Sequence, residues 1–343
     1  MAKRGHVLGG GAYLLGGQKE FALAVIDLDD PSPKAELLSL AFLAHGITFD
    51  PNDRFRAAIF EKKGPHGCIV DLRSMTVTSA LTTPASRQFY GHGAFSRDGK
   101  LLYATESRLD RGFEGALVVR DAGTLQELGT LPTYGSAPHD CAIIDDGATM
   151  VIANGGGVTG RSEASVTYVD LRTEKLLDRV ALASPKFNAG HIALTHSGDL
   201  AIVSAPREGR PHTDLGAVTV RAKGGKVTTA TKPSNVVSRM IGETLSVLAS
   251  ASDRTVLATH PLGDCVTVWK LDDASFVETL EIENPRGLAT TLDGAWILVS
   301  HSTENNVRIT AIDATTRRQV GLHVEPSFMT GSHLFVHDLR PTE

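Results

Sequence analysis

Cysteine is scarce in this chain: Cys68, Cys141 and Cys265 are the only three in 343 residues. An odd number at such wide spacing gives neither a disulfide framework nor a CxxC metal knuckle, so all three are read as free thiols packed in strands. Long apolar runs are missing as well. No stretch approaches the about 20 residues that a membrane-spanning helix needs. The segment Met1-Ala-Lys-Arg-Gly-His6 leads straight into Gly9-Gly-Gly11 and a strand, so no signal peptide is expected in the chain as it stands. Basic blocks are absent, and 34 Lys and Arg against 39 Asp and Glu give a net charge of −5. That balance argues against a nucleic-acid or anionic-membrane surface and leaves small ligands or proteins as partners. Helical periodicity is almost absent, and so are the G-x-S-x-G, H-E-x-x-H and Walker A patterns. Gly9–Gly11 and Gly155–Gly157 open no helix that could hold a phosphate, and both read as turns.

What the chain does have is a recurrent histidine. His45, His92, His139 and His191 each head a short apolar run, with successive gaps of 47, 47 and 52, and His333 follows after 142 residues that divide further at Glu243 and Arg286. A period in the forties with strand-like content is the signature of a β-propeller, in which each repeat is a four-stranded blade and equivalent positions meet around a central channel.

The clearest repeat is Tyr90-Gly-His-Gly-Ala-Phe-Ser-Arg-Asp-Gly-Lys-Leu-Leu-Tyr-Ala-Thr-Glu106, a strand, a tight turn at Arg97-Asp98-Gly99 and a returning strand. Third strands ending near an aspartate recur at Asp27, Asp71, Asp121, Asp170, Asp272 and Asp313. Six blades are expected to open near residues 45, 92, 139, 191, 243 and 286. The tail Gly331–Asp338 supplies an innermost strand, and the head Tyr13–Phe42 supplies three outer ones. The expectation is therefore an all-β, single-domain, seven-bladed propeller over residues 1–343, its ring closed by the C-terminal innermost strand completing the N-terminal blade. Glycines follow His92 and His191 by seven residues but His139 by eight, which suggests a bulge at one strand.

Residues at the heads of innermost strands point toward the channel. His45, His92, His139, His191 and His333, with Glu243 as a possible sixth, form a credible ligand set for iron or copper. Arg286 takes the remaining blade, to hold an anion or pair with Glu243. Cys141 is the one thiol nearby. His260, His301 and Glu106 end second strands on the same face, as do Asn154 and Arg207, and could support the ligands from behind. The competing view is structural: propellers of the WD-repeat type carry a Gly-His pair that only braces a turn. There the histidine lies in the loop before the strand, whereas His92 is three residues before Phe95.

The strings Phe89-Tyr-Gly-His-Gly-Ala-Phe-Ser, Leu102-Tyr-Ala-Thr-Glu106, Pro138-His-Asp140, Ala153-Asn-Gly-Gly156, Gly190-His191, Ala205-Pro-Arg207 and Gly242-Glu-Thr-Leu-Ser246 resemble an uncharacterised bacterial propeller family known as a domain of unknown function. The resemblance covers nearly the whole chain. It implies a seven-bladed fold, twin-arginine export to the periplasm, and proximity to imelysin-type iron-uptake proteins as partners. The missing signal departs from that pattern and leaves a cytoplasmic location open.

Three functions follow. The first is a periplasmic propeller that binds iron or copper in metal handling or uptake. The second is a metalloenzyme using the same ring for redox chemistry. The third is a protein-interaction platform without metal.

Overall fold

The computed structural model describes residues 3–158, 160–303 and 306–340; Met1-Ala2 and the last three residues of the expected 1–343 domain lie outside them. Nearly all regular structure is strand, with one short helix, Ser234–Val237, and three single 3-10 turns among the described residues. Strands Pro138–Ile144, Thr149–Asn154, Ser165–Asp170 and Leu176–Ala181 form a four-stranded antiparallel meander. The same arrangement recurs in sheets opening with His191–Leu194, Val247–Ser250 and Pro285–Thr290. Earlier in the chain, the meanders opening with Ala44–Asp50 and Arg87–Phe95 are joined into one eight-stranded sheet by the pairs Lys62↔Tyr90 and Gly64↔Phe89. The remaining sheet has the order Phe335–His337, His6–Leu15, Gln18–Asp27, Ala35–Leu40, so the C-terminal strand is its innermost member, paired at His6↔His337 and Leu8↔Phe335.

Each sheet is buried on both faces, which explains strands that read as unbroken apolar runs. Side chains alternate across a strand. Thus Ala57 and Ile59 join a cluster with Leu8 and Leu23 of the preceding sheet, while Ala58 and Phe60 meet Phe89 and Leu102 of the next. Tyr103 and Leu117 then meet Met150 and Ile152, Val151 and Ala153 meet Leu200 and Ile202, and Ala201 and Val203 meet Val256 and Ala258. Leu257 and Val268 meet Val299. Finally Leu298 and Ile309 pack on Val7 and Ile26, so the last four-stranded meander contacts the first sheet. The recurrent aspartates tie the outer hairpins: Asp121 Oδ1 accepts from Gly123 N and Thr124 N, and Asp170 and Asp313 do the same with Arg172–Thr173 and Thr315–Thr316.

The structure differs from expectation in two places. Gly9–Gly11 is strand interior, where a Cβ on Gly10 would overlap the Ala44 carbonyl and one on Gly11 that of Phe328. Close backbone approach, not turning, requires glycine there. The opening strand expected near residue 243 begins at Val247, so Glu243 precedes it.

Deleting residues 331–343 removes the pairing of Phe335–His337 with His6–Leu8 and the buried side chains of Leu334 and Leu339. At about 1.5–3 kcal/mol per buried leucine, the truncated chain is expected to lose about 3–6 kcal/mol in a urea titration; unchanged stability would show that the tail strand does no structural work.

Candidate metal centre

Four innermost strands carry a bulge at their heads. His45 has no partner between the pairs Ala44↔Glu61 and Gly46↔Phe60, and His139 none between Pro138↔Asn154 and Asp140↔Ala153. The ladder also slips between Phe89 and Gly93, around His92, and between Pro285 and Leu288. A bulge re-aims a side chain that strict alternation would bury between sheets. Hydroxyls on the adjacent second strands take up backbone groups the bulges leave unpaired. Thr105 Oγ1 donates to His92 O (3.0 Å), Thr259 Oγ1 to Arg286 O (2.8 Å), and Ser300 Oγ accepts from Gly287 N (2.9 Å).

The re-aimed imidazoles meet. One ring nitrogen from each of His45, His92, His139 and His191 lies within 4.8 Å of the others, and all four residues are buried. His333 joins them, its ring 4.1 Å from that of His191 and 4.7 Å from those of His45 and His92. Glycine makes room: Gly91 has φ +129°, and a Cβ there would come 2.7 Å from His45 Cδ2 and 3.3 Å from His139 Cε1.

Hydrogen bonds fix the protons. His139 Nδ1 lies 2.8 Å from Tyr90 O and His191 Nδ1 lies 2.5 Å from Leu245 O. A carbonyl only accepts, so both Nδ1 atoms donate and both neutral rings carry a lone pair on Nε2. Those two Nε2 atoms face each other at 2.8 Å. His333 Nε2 stands 2.8 Å from His191 Nε2, and His45 Nε2 stands 3.3 Å from His139 Nε2. Even if His333 and His45 donate in those contacts, no hydrogen separates His139 from His191. His92 Nδ1 is 3.3 Å from Asp140 Oδ1, and its buried Nε2 has no hydrogen-bond partner.

Protonation does not relieve the crowding. Burial first, then the Lys62 ammonium and the neighbouring rings, hold His45 and His139 well below the usual imidazole value. Burial likewise leads in His191 and His333, and in His92, where Asp140 opposes it. Neutral imidazoles with converging lone pairs are what a borderline transition-metal ion takes. Two nitrogens each about 2.1 Å from one ion and at right angles lie about 3.0 Å apart, close to the contacts found. The donor set therefore fits a metal.

The other candidates lie elsewhere. Glu243, expected as a sixth ligand, is half-exposed and 3.8 Å from Lys62 Nζ, because it belongs to the segment ahead of its strand. In that blade it is the Leu245 carbonyl that meets the ring. Arg286 Nε donates to Gly331 O at 3.3 Å, and burial lowers its pKa against the opposing charge of Glu243. His260 and His301 turn to the third strands of their sheets, and Glu106 to both the third and the first strand of its own. His260 Nε2 meets Thr267 Oγ1 at 2.7 Å, a hydroxyl that also accepts from Trp269 Nε1, and His301 Nε2 meets Thr310 Oγ1 at 2.8 Å. Glu106 is fully buried, accepting from Arg120 Nη2 at 2.5 Å with Arg87 Nε 2.9 Å away. Asn154 Nδ2 donates to Thr167 Oγ1 at 2.9 Å. His260 and His301 brace their sheets through these bonds. Cys141 is beyond the His139 bulge, where strict alternation no longer holds, and packs near Met150 and Ile152. Arg207 is buried, and its Nη2 donates to the carbonyls of Gly156 and Ser162, both at 2.6 Å. Sequence reasoning missed Asp140, whose carboxylate also accepts from Cys141 N and Ile192 N, and Lys62. The Pro138-His-Asp string held the only signal for Asp140.

A cavity of about 480 Å³ opens beside His139, with Tyr90, Lys62, Lys63, Glu243 and Arg286 among its walls.

Residues 38–335 match the family profile DUF1513, described as a protein of unknown function. This chain belongs to that family. No curated protein matches it in sequence. Among solved structures, this DUF1513 member is similar to the periplasmic gluconolactonase PpgL of Pseudomonas aeruginosa, with a TM-score of 0.68 at 15% identity over 98% of this chain and 99% of that one. It is similar to hydrazine synthase of Kuenenia stuttgartiensis, TM-score 0.67 at 14% identity, over 86% of this chain and 92% of that one. It is also similar to the dihydro-heme d1 dehydrogenase NirN, TM-score 0.63 at 13% identity, over 97% and 75%. At such identities the likeness is one of fold, the β-propeller, and carries no activity with it.

Two outcomes test the partition between ring and brace. Glu106→Ala leaves Arg87 and Arg120 without their buried carboxylate and is expected to cost about 3–5 kcal/mol of stability while leaving bound metal per folded protein unchanged; altered stoichiometry would tie Glu106 to the centre. His260 is held at about 3 by burial. Between the unfolded value of about 6.5 and that folded value the unfolded chain binds the extra proton, so stability is full above about 6.5 and declines as pH falls, by up to about 1.4 kcal/mol per unit. His260→Asn should flatten the fall in melting temperature from pH 6 to pH 4; an identical slope in both proteins would refute this.

Proposed function

We propose that this chain is a single-domain, seven-bladed β-propeller over residues 1–343 that holds a transition-metal ion, iron first and copper second, on His45, His92, His139, His191 and His333, and that it serves metal handling or uptake. Dividing the eight-stranded sheet at its short Lys62–Gly64 seam into two meanders supports the blade number. The cluster joining Leu298 and Ile309 to Val7 and Ile26, with the pairing of the tail strand to His6–Leu8, supports closure of the ring. The observation that carries the metal reading is the 2.8 Å contact between the Nε2 lone pairs of His139 and His191, both fixed by Nδ1 donation to backbone carbonyls. Two facing lone pairs repel unless a cation lies between them. Handing the ion to other metal-uptake proteins, and placement in the periplasm, are the parts of this reading that rest on the family resemblance.

The bound ion would supply Lewis acidity or a redox couple; the protein's own part is orientation. Tyr90 O and Leu245 O aim two rings, and Asp140 raises the basicity of His92. A second reading, a metalloenzyme on the same ring, is favoured by the cavity beside His139, which is large enough for a substrate.

Elemental analysis of the purified protein, loaded with ferrous, ferric or cupric ion and desalted, tests the proposal. Near-stoichiometric iron or copper is expected, falling at least tenfold in His92→Ala/His139→Ala with the β-rich circular dichroism intact. Equal metal in the double variant, or none in either protein, would refute it. Turnover by the loaded protein with a screened reductant would favour the enzyme over the carrier.

A further inference from the structure

Imidazole ligands are neutral, so a ring of them leaves the ion's charge uncancelled. The carboxylate nearest the ring, Asp140, stands behind His92 and is already engaged by the amides of Cys141 and Ile192. In the cavity beside His139 the walls carry Lys62, Lys63 and Arg286 against Glu208 and Glu243. Cations outnumber carboxylates there before any metal arrives. Lys62 and His139 line the same cavity, so the ammonium would repel a cation bound on the imidazoles in a partly buried site where charge is poorly screened. One arrangement satisfies both charges: an anion between them. Glu243 only partly fills that role, since its carboxylate is 3.8 Å from Lys62 Nζ and half-exposed.

We propose that the cavity beside His139 binds a small dicarboxylate, with one carboxylate bridging the ring metal and Lys62 and the other on Arg286. The inference rests on the metal reading above and names the ligand class of that same site. A volume of about 480 Å³ accommodates such a molecule with water to spare. Arg286 offers a planar donor fork suited to a carboxylate, and its bond to Gly331 O uses Nε. Pro261 and Leu262 are also among the lining residues and offer apolar surface to a short carbon chain.

Cobalt(II) serves as a coloured stand-in for the ion, and malonate as the probe. Cobalt content is measured first in each protein, and malonate is then titrated while the visible d–d bands are followed. Expected are a saturable band shift with malonate in the native sequence, at least tenfold weaker binding in Lys62→Gln/Arg286→Gln at unchanged cobalt content, and no shift with uncharged malonamide. Glu243→Gln frees Lys62 from its competing carboxylate and should tighten malonate binding, a gain that misfolding cannot produce. Retained cobalt with malonate binding indifferent to all three substitutions, or matched by malonamide, overturns the dicarboxylate site and leaves the metal ring standing. Failure of the native protein to retain cobalt overturns the ring and this inference together.

Discussion

The site depends on one constraint: three of its imidazoles, those of His92, His139 and His191, are held by groups from outside their own strands. His139 is held by the Tyr90 carbonyl from the opening strand of the preceding sheet, and His191 by the Leu245 carbonyl from the segment ahead of the next opening strand. His92 is turned toward Asp140 of the next sheet, and that carboxylate in turn binds the Ile192 amide of the sheet beyond. Cross-sheet bonds of this kind exist only when the sheets are seated at the right mutual rotation. Packing between sheets therefore sets the ring's geometry, and the apolar clusters that alternate along each strand are as much a part of the centre as the donor atoms.

The same seating explains the bulges and glycines. A regular strand would send His45 and His139 into the space between sheets, where only apolar side chains fit. The extra residue at each strand head releases them, and at the bulged heads around His92 and Arg286–Gly287 the hydroxyls of Thr105, Thr259 and Ser300 absorb the backbone polarity. Gly91 and Gly46 then let two strand heads approach so closely that imidazole packs directly on backbone; a Cβ on Gly46 would overlap the Gly91 carbonyl oxygen.

Much of this was legible in the residues. The even histidine spacing marked the strand heads, and the apolar runs with aspartate-capped hairpins marked repeated four-stranded sheets; the extra residue between His139 and Gly147 marked no bulge, since the register is regular from Asp140 to Ile144 and the bulge lies at His139 itself. Spacing measures position along the chain, however, and not the direction of a side chain. Glu243 lies at the right interval but ahead of its strand, so it turns to Lys62. Glu106, His260 and His301 lie at or near the ends of the right strands yet turn to third strands, and their partners there, Arg120, Thr267 and Thr310, carry no mark distinguishing them from ordinary strand residues. Asp140 and Lys62 stayed hidden for the same reason: their roles come from contacts with sheets distant in sequence.

The tail has a consequence for how the site comes into being. His333 lies just before the strand that pairs with His6–Leu8, close to the end of the chain, while its nearest ring neighbour, His191, was made much earlier. His45, His92, His139 and His191 all precede His333 along the chain, and the inner edge of the first sheet is bare until Phe335–His337 pairs with it. All five imidazoles therefore assemble only once that strand is seated. Occupancy of the site would then report the seating of the strand, and a molecule clipped ahead of His333 would lose the fifth imidazole together with the strand.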